Sequence, residues 1–135
     1  MERYGYDRTM ILLRRWLLLQ EKYPVLRIYQ PNMITIYVTH ASQEAADQIV
    51  DGLLREHLIA CANFFPIGSR YWWNGEIVSS NEIVSLLKCD DLNWEVVREY
   101  ILKVHPYTTP CIIRYEASAN IEYENWITKE SQEHK

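Results

Sequence analysis

The chain has 135 residues, of which 48% are apolar and 24% are charged, a composition typical of one soluble globular domain. Its formal net charge of −4 argues against a nucleic-acid partner, because affinity for a phosphate backbone comes mainly from lysine and arginine. Three cysteines, an odd number, do not make a disulfide framework, so the sequence predicts a reducing, cytoplasmic compartment. A chain of this length buries enough surface to fold without a cofactor.

Charge is unevenly distributed along the chain. Residues 1–32 carry a formal charge of +3, whereas residues 33–135 carry −7. Pro31 and Asn32 mark the change, because proline disfavours helix in the residue before it and an alternating apolar run follows. The sequence therefore predicts a basic N-terminal extension, partly helical, over 1–32 and one main domain over 33–135.

The extension contains an apolar run over residues 10–19 that Arg14 and Arg15 interrupt. A membrane-spanning helix needs about 20 apolar residues, so no transmembrane segment is predicted. The flanking residues also lack the pattern of a signal peptide. Three interpretations stay open: a short helix packed on the main domain, a peripheral membrane contact, or an extension with no function.

The first half of the main domain alternates between strand and helix patterns. Alternating, β-branched residues predict a strand over 33–40, and Ser42 is placed to cap a helix that ends near His57. A second apolar run over 60–65 predicts another strand, which Pro66 stops. The apolar stripe of the helix recurs at three-to-four spacing and comprises Ala45, Ile49, Leu53 and Leu54.

The middle of the chain carries a hairpin signal. Asn74 and Gly75 separate two strand-like segments, 69–73 and 76–78, and this dipeptide supplies the positive φ angles of a type I′ turn. A further strand is predicted over 83–88.

The last third of the chain is predicted to contain a helix, a strand and a second helix. Asp90 or Asp91 caps the first of these, which ends at His105, and its buried face is predicted to comprise Trp94, Val97, Ile101 and Leu102. A strand over 111–115 and a helix over 120–130 follow. The order β-α-β-β-α-β with an appended C-terminal helix predicts an α+β, ferredoxin-like fold, with two helices on one face of an antiparallel sheet.

Aromatic residues are too numerous for the core of one such domain. An uncovered apolar sheet face usually has a partner, so we expect a homo-oligomer. The surplus aromatic residues are Phe64, Phe65, Tyr71, Trp72, Trp73 and Tyr115.

Five short motifs in order resemble the CutA family of divalent-cation tolerance proteins, over about residues 33–130. They are Ala60-Cys61-Ala62-Asn63, Tyr71-Trp72-Trp73-Asn74-Gly75-Glu76-Ile77, Glu82 with Lys88, His105-Pro106-Tyr107-Thr108-Thr109-Pro110, and Tyr123-Glu124-Asn125-Trp126. The resemblance implies a ferredoxin-like subunit assembled as a homotrimer, with an architecture similar to the PII signalling proteins. It also implies a role in tolerance of copper and other divalent cations, and copper binding.

Candidate metal ligands follow from the preference of copper for imidazole and thiolate. They are His40, Cys61, Cys89, His105 and Cys111, and no two of them have a metal-type spacing, so folding must assemble any site. The predicted set is His105, Cys61 and His40. The resemblance implies copper ligands in the first strand and around the His-Pro-Tyr segment, where Val38, Tyr100 and Val104 stand here. His105 is the family ligand position that remains, and His40 shares the strand face of Val38.

Structural interpretations of the same residues stay open. Cys61 lies between small residues and is equally a small buried hydrophobe. His105 lies at a helix end, where a cation complements the helix dipole. Cys89 and Cys111 lie at strand ends and are interpreted as structural.

A second constellation predicts a ligand cleft. Tyr71, Trp73, Glu82, Lys88 and Tyr107 carry polar groups that paired strands and an adjacent turn bring together. An anion or small metabolite is expected there, held by the lysine and the tyrosine hydroxyls against an aromatic wall. The alternative is an interaction between the glutamate and the lysine that stabilises a trimer.

Two functions follow from these observations. The first is a trimeric divalent-cation, or copper, tolerance protein, with copper or another divalent cation as its bound ion. The second is a PII-like regulatory or scaffold protein that binds a small anionic metabolite at inter-subunit clefts. An enzyme is not expected, because the sequence carries no phosphate-binding glycine loop and no recognisable catalytic motif.

Overall fold

The computed structural model describes residues 3–22 and 33–132, and the chain divides into two compact units, residues 1–30 and 31–135. The first unit contains helix α1, Arg3–Lys22. Most of its described apolar side chains are exposed, namely Ile11, Leu12, Leu13, Leu17, Leu18 and Leu19. No helix within the described residues is both long and apolar enough to cross a membrane. The predicted boundary at Pro31 and Asn32 lies outside the described residues.

The second unit has the predicted α+β architecture. Its sheet has the order β2-β3-β1-β4, and every neighbouring pair is antiparallel. A crossover helix follows β1 and another follows β3, which is the ferredoxin-like arrangement, with one further helix at the end. The elements are β1 Met33–His40, α2 Gln43–Arg55, β2 Cys61–Trp73, β3 Glu76–Asp90, α3 Trp94–Val104, β4 Ile112–Ala117 and α4 Ile121–Glu130.

Short polar side chains begin the two crossover helices, as the sequence predicts. The Ser42 hydroxyl accepts a hydrogen bond from the backbone N–H of Ala45 at 3.1 Å. The Asp90 carboxylate accepts the N–H of Leu92 at 2.9 Å, but a 3-10 turn over 91–93 intervenes before α3 begins. Each cap satisfies a backbone donor that the first turn leaves without an intrahelical partner.

The core lies between the sheet and helices α2 and α3. Two predicted core residues, Leu54 and Leu102, are instead exposed. Each follows a fully buried residue, Leu53 or Ile101, and the 100° step of a helix turns it out of the interface. The main core cluster comprises Ile34, Ile36, Val38, Ile49, Val50, Leu53, Ile59, Leu87, Cys89, Val97 and Ile101.

Strands β2 and β3 form a long hairpin. The predicted stop at Pro66 is wrong, because β2 runs unbroken from Cys61 to Trp73. It is an edge strand of the sheet, and an edge strand is where a missing N–H is tolerated. Asn74 and Gly75 have φ angles of 50° and 80°, which confirms the predicted positive-φ turn.

The six surplus aromatic residues are exposed, from 38% at Phe64 to 71% at Trp72. Sequence neighbours such as Phe64 and Phe65 alternate across the strand, so the set belongs to both faces of the sheet. Strands β2 and β4 also leave an open hydrogen-bonding edge on each side of the described sheet.

Candidate functional site

The cleft forms where the sheet face that carries Tyr37 and Thr39 meets the hairpin and the loop after α3. Alternation turns these two β1 residues away from the helix-covered side, because their neighbour Val38 is fully buried on that side. The cleft has a volume of about 840 Å³. Four of the five residues predicted to form a ligand cleft line it: Tyr71, Trp73, Glu82 and Tyr107.

Glu82 and Tyr107 are hydrogen-bonded in the cleft wall. The Tyr107 hydroxyl donates to Oε2 of Glu82 at 2.8 Å, although the two residues lie on β3 and on the loop after α3. Burial and the bond to Glu82 raise the pKa of the Tyr107 hydroxyl to about 12. Burial and the same carboxylate raise the pKa of the Cys111 thiol, which also lines the cleft. Both groups therefore stay neutral at physiological pH.

Lys88 lies apart from the other four predicted cleft residues. It is six residues from Glu82 on one extended strand, a separation of about 20 Å. Its ammonium donates to Oδ1 of Asn63 at 2.6 Å and lies 5.7 Å from the ring centre of Tyr123. Within one chain the structure therefore does not bring Lys88 to the other four cleft residues, and Lys88 forms no pair with Glu82.

His105 lies behind the cleft wall, and both of its ring nitrogens are used. The Thr39 carbonyl oxygen is 2.8 Å from Nε2, so this nitrogen carries the proton and donates. Nδ1 accordingly accepts the backbone N–H of Tyr107 at 3.1 Å. His105 thus fixes the chain that carries Tyr107, and it has no lone pair to offer a metal ion.

His40 stacks on His105 with ring centres 5.4 Å apart. Its Nε2 lies 2.7 Å from the Ser85 hydroxyl oxygen, whereas its buried Nδ1 has no hydrogen-bond partner. Burial is the main cause that lowers the pKa of His40 to about 4, and repulsion from His105 is the second. The imidazole is therefore neutral at physiological pH. The prediction that His40 shares the covered face of Val38 is consistent with its 1% exposure.

Cys61 is not brought to the histidine pair. Its sulfur lies 3.4 Å from the Tyr123 hydroxyl, and the residue pairs with Lys88 at the opposite end of the hairpin. Among the described residues there is no cluster of three or more His, Cys, Asp or Glu side chains arranged to hold a metal ion. The predicted set His105, Cys61 and His40 is therefore not assembled as a copper site within the described residues of one chain.

The three positions where the family resemblance implies ligands have other surroundings here. Val38 is fully buried in the core, and Val104 is exposed at the end of α3. Tyr100 packs against α2 at Gly52. None of these side chains supplies a ligand that copper prefers.

Sequence reasoning missed most of the other residues that line the cleft, and three of them are informative. Cys111 was interpreted as structural, yet it lines the cleft together with Tyr37 and Thr39. The signal that identifies the last two is the alternation of β1, whose polar positions lie opposite the buried apolar ones. Cys111 gave no such signal, because its position depends on how the loop before β4 folds back.

Comparisons with known proteins agree with the fold. The family model described as CutA1 divalent ion tolerance protein matches residues 34–130. The chain is 39% identical over 101 residues to the divalent-cation tolerance protein CutA of Pyrococcus horikoshii, covering 74% of this chain and 99% of that protein. It is 40% identical over 96 residues to the CutA of Thermotoga maritima, covering 70% and 95%.

A solved structure gives the same result. The periplasmic divalent cation tolerance protein CutA from Archaeoglobus fulgidus has a TM-score of 0.72 and 35% identity, covering 74% of this chain and 99% of that chain. The residues that the family model matches begin after the basic extension. The motifs, the strand order and these similarities establish that the chain belongs to the CutA1 family of divalent-ion tolerance proteins.

Proposed function

We propose that this CutA-family protein is a homotrimer that acts in divalent-cation tolerance as a PII-like regulatory or scaffold protein, by binding a small metabolite in the cleft. The observation that carries the proposal is the cleft itself. Its volume of about 840 Å³ falls within the range of small-molecule sites, and aromatic and polar side chains converge on it.

The cleft wall is held in place before any ligand arrives. Tyr107 is fixed at its backbone by His105 and at its hydroxyl by Glu82. The edge of its ring also contacts the His105 ring, with centres 4.7 Å apart. A preformed site lowers the conformational entropy that is lost when a ligand binds.

Exposed apolar surface supports the trimer. Trp72 and Ile77 face each other across the hairpin and are 71% and 66% exposed. Such a pair on a projecting arm is unfavourable in water and is stabilised when another copy covers it. The open edges of β2 and β4 allow the sheets of neighbouring copies to continue into one another.

The chemistry of the cleft favours binding over catalysis. The Cys111 thiol is held neutral by its raised pKa, which makes it a poor nucleophile. His105 has both nitrogens engaged and is not positioned to act as a general base. The proposal therefore includes a non-enzymatic role. It also includes a cytoplasmic location, because three free cysteines fit a reducing compartment.

A small-metabolite library tests the proposal on the full chain, with thermal stability and tryptophan fluorescence as the two measurements. We expect at least one class of metabolite to raise the melting temperature and to change the emission, since Trp73 lines the cleft. Tyr107→Phe should weaken that binding, whereas Tyr115→Phe, at an exposed position outside the cleft, should not. A library without any such ligand, or equal effects of the two variants, contradicts the proposal.

A second candidate is direct binding of copper or another divalent cation. One observation favours it: Nδ1 of His40 is buried without a hydrogen-bond partner beside a second imidazole. Copper titration of the wild type, His40→Gln, His105→Ala and Cys61→Ser distinguishes the two functions. Under the main proposal all four bind copper equally weakly. Tight binding that His40→Gln and His105→Ala abolish, and Cys61→Ser leaves intact, establishes the second candidate instead.

A further inference from the structure

An acidic side chain lies on the sheet face that forms the cleft. Of the described residues that line the cleft, Glu82 is acidic and Arg70 is basic. Arg70 occupies a position of β2 that alternates to the face opposite Tyr71, whereas Glu82 pairs with Ile67 on the cleft face. With Lys88 elsewhere, the cleft face presents a carboxylate and neutral hydroxyl and thiol groups.

One oxygen of that carboxylate is available. Glu82 is 9% exposed, and its Oε2 accepts the Tyr107 hydroxyl. No hydrogen bond engages its Oε1 within the described structure, and this oxygen retains some solvent contact. This oxygen can therefore accept a further hydrogen bond, and a charged donor bonds to a carboxylate more strongly than a neutral one does. A cationic donor in the cleft is attracted to the carboxylate, whereas an anion is repelled.

The walls around the carboxylate are aromatic. Tyr37, Tyr71, Trp73 and Tyr107 all line the same cleft. Aromatic rings attract cations through their negative faces and also pack against apolar groups. A carboxylate surrounded by aromatic residues is a combination that suits an organic ammonium ion.

The same residues do not suit a metal ion. Divalent cations take several oxygen, nitrogen or sulfur ligands, and the described residues supply no cluster of three acidic, histidine or cysteine side chains. The one carboxylate already shares an oxygen with Tyr107. An ammonium ion needs a single strong acceptor and is otherwise satisfied by hydroxyl oxygens, such as that of Thr39, and by aromatic faces.

We infer that the ligand of this cleft is an organic ammonium ion with an apolar or aromatic body, its ammonium group against Glu82. This inference rests on the ligand-binding function proposed above and specifies the charge of the ligand. It replaces the anionic ligand that the sequence predicted, because the lysine on which that prediction depended lies at the other end of the hairpin.

Three probes of similar size and different charge test the inference by calorimetry on the full chain. They are phenethylamine, 3-phenylpropionate and 2-phenylethanol, which are cationic, anionic and neutral at pH 7. We expect phenethylamine to bind at least tenfold more tightly than either of the others. Its affinity should fall as salt is added, because screening weakens the interaction with the carboxylate. Equal binding of the three, or tighter binding of phenylpropionate, overturns the inference.

Glu82→Gln is the decisive variant, since glutamine keeps an oxygen that accepts the Tyr107 hydroxyl and loses only the charge. We expect it to weaken phenethylamine binding tenfold or more and to leave phenylethanol binding unchanged. Glu76→Gln, at an exposed acid on the hairpin outside the cleft, is the matched control and should bind like the wild type. Retained cation preference in Glu82→Gln overturns the inference.

The outcomes also separate this inference from the proposed function. An anionic or neutral library ligand that Tyr107→Phe weakens leaves the proposed function standing and overturns the ammonium inference. Binding of Mg²⁺ or Cu²⁺ through Glu82, without binding of phenethylamine, overturns the ammonium inference, whereas the proposed function is decided by the metabolite library. If neither the library nor the three probes bind, both proposals fail.

Discussion

At the scale of single residues, the site depends on side chains whose hydrogen bonds leave them little freedom. His105 bonds to a backbone carbonyl and a backbone N–H, and Tyr107 bonds to Glu82. Two of these three bonds, from His105 to the Thr39 carbonyl and from Tyr107 to Glu82, join segments far apart in sequence, so the cleft wall and the fold are stabilised together. His40, which stacks on His105, also has unused bonding capacity, because its buried Nδ1 has no hydrogen-bond partner.

His40 should make stability depend on pH. Burial lowers its pKa in the folded state to about 4 from an ordinary 6.5, so the unfolded chain takes up a proton more readily as the pH falls. The contribution of the neutral His40 to the free energy of unfolding is complete above pH 6.5 and is lost as the pH falls toward 4. Between pH 7 and pH 5 we expect the free energy of unfolding to drop by about 2 kcal/mol from this group.

Urea unfolding at both pH values, at one protein concentration, measures the effect. His40→Gln, which retains a hydrogen-bonding amide for Ser85 and does not titrate, should lose about 2 kcal/mol less than the wild type on acidification. Identical losses in the two proteins would show that His40 is protonated in the fold at an ordinary pKa.

At the scale of elements, the contact between α2 and α3 requires a glycine. A Cβ built on Gly52 overlaps the hydroxyl of Tyr100 and comes within 3.0 Å of its ring carbon Cζ. The glycine therefore sets how closely the two helices approach. A tyrosine ring moves only as a rigid unit, so α3 or the ring must shift to admit a methyl group.

Gly52→Ala is expected to destabilise the protein by about 1–3 kcal/mol through this overlap. The higher helix propensity of alanine offsets up to about 1 kcal/mol of that loss. The matched background is Tyr100→Phe, which removes the overlapping hydroxyl. Adding Gly52→Ala there should cost clearly less than in the wild type, as measured by urea unfolding. If Gly52→Ala lowers the free energy of unfolding equally in both backgrounds, overlap with the Tyr100 hydroxyl is not the cause of the loss.

At the scale of the whole molecule, the exposed hairpin arm is consistent with assembly. We expect the wild type to scatter light with three times the chain mass. Replacing the cross-strand pair by Trp72→Lys and Ile77→Lys should shift it toward the monomer, because two charges would then be buried between copies. The control is Leu92→Lys, at an 86% exposed leucine just before α3, which should leave the mass unchanged.

Two results would refute the assembly argument. One is a monomeric wild type at micromolar concentration. The other is a double lysine variant that keeps the trimer mass, which would show that the apolar pair on the arm lies outside the interface.

The local features of this protein follow from its sequence. The Ser42 cap, the Asn74-Gly75 turn and the order of strands and helices depend on neighbouring residues, whose preferences are legible in the chain. The five motifs also sufficed to predict the family. Pro66 misled the strand prediction because tolerance of proline depends on whether a strand lies at an edge, and local sequence does not encode that position.

Which side chains meet was decided by the tertiary structure alone. Glu82 and Tyr107 are 25 residues apart, and Cys61 and Tyr123 are 62 apart. Such contacts depend on strand register and on the path of loops. Both are set by many weak interactions spread over the whole fold. The sequence therefore determined the family and the architecture, whereas the structure separated Lys88 from the cleft, and with it changed the expected charge of the ligand.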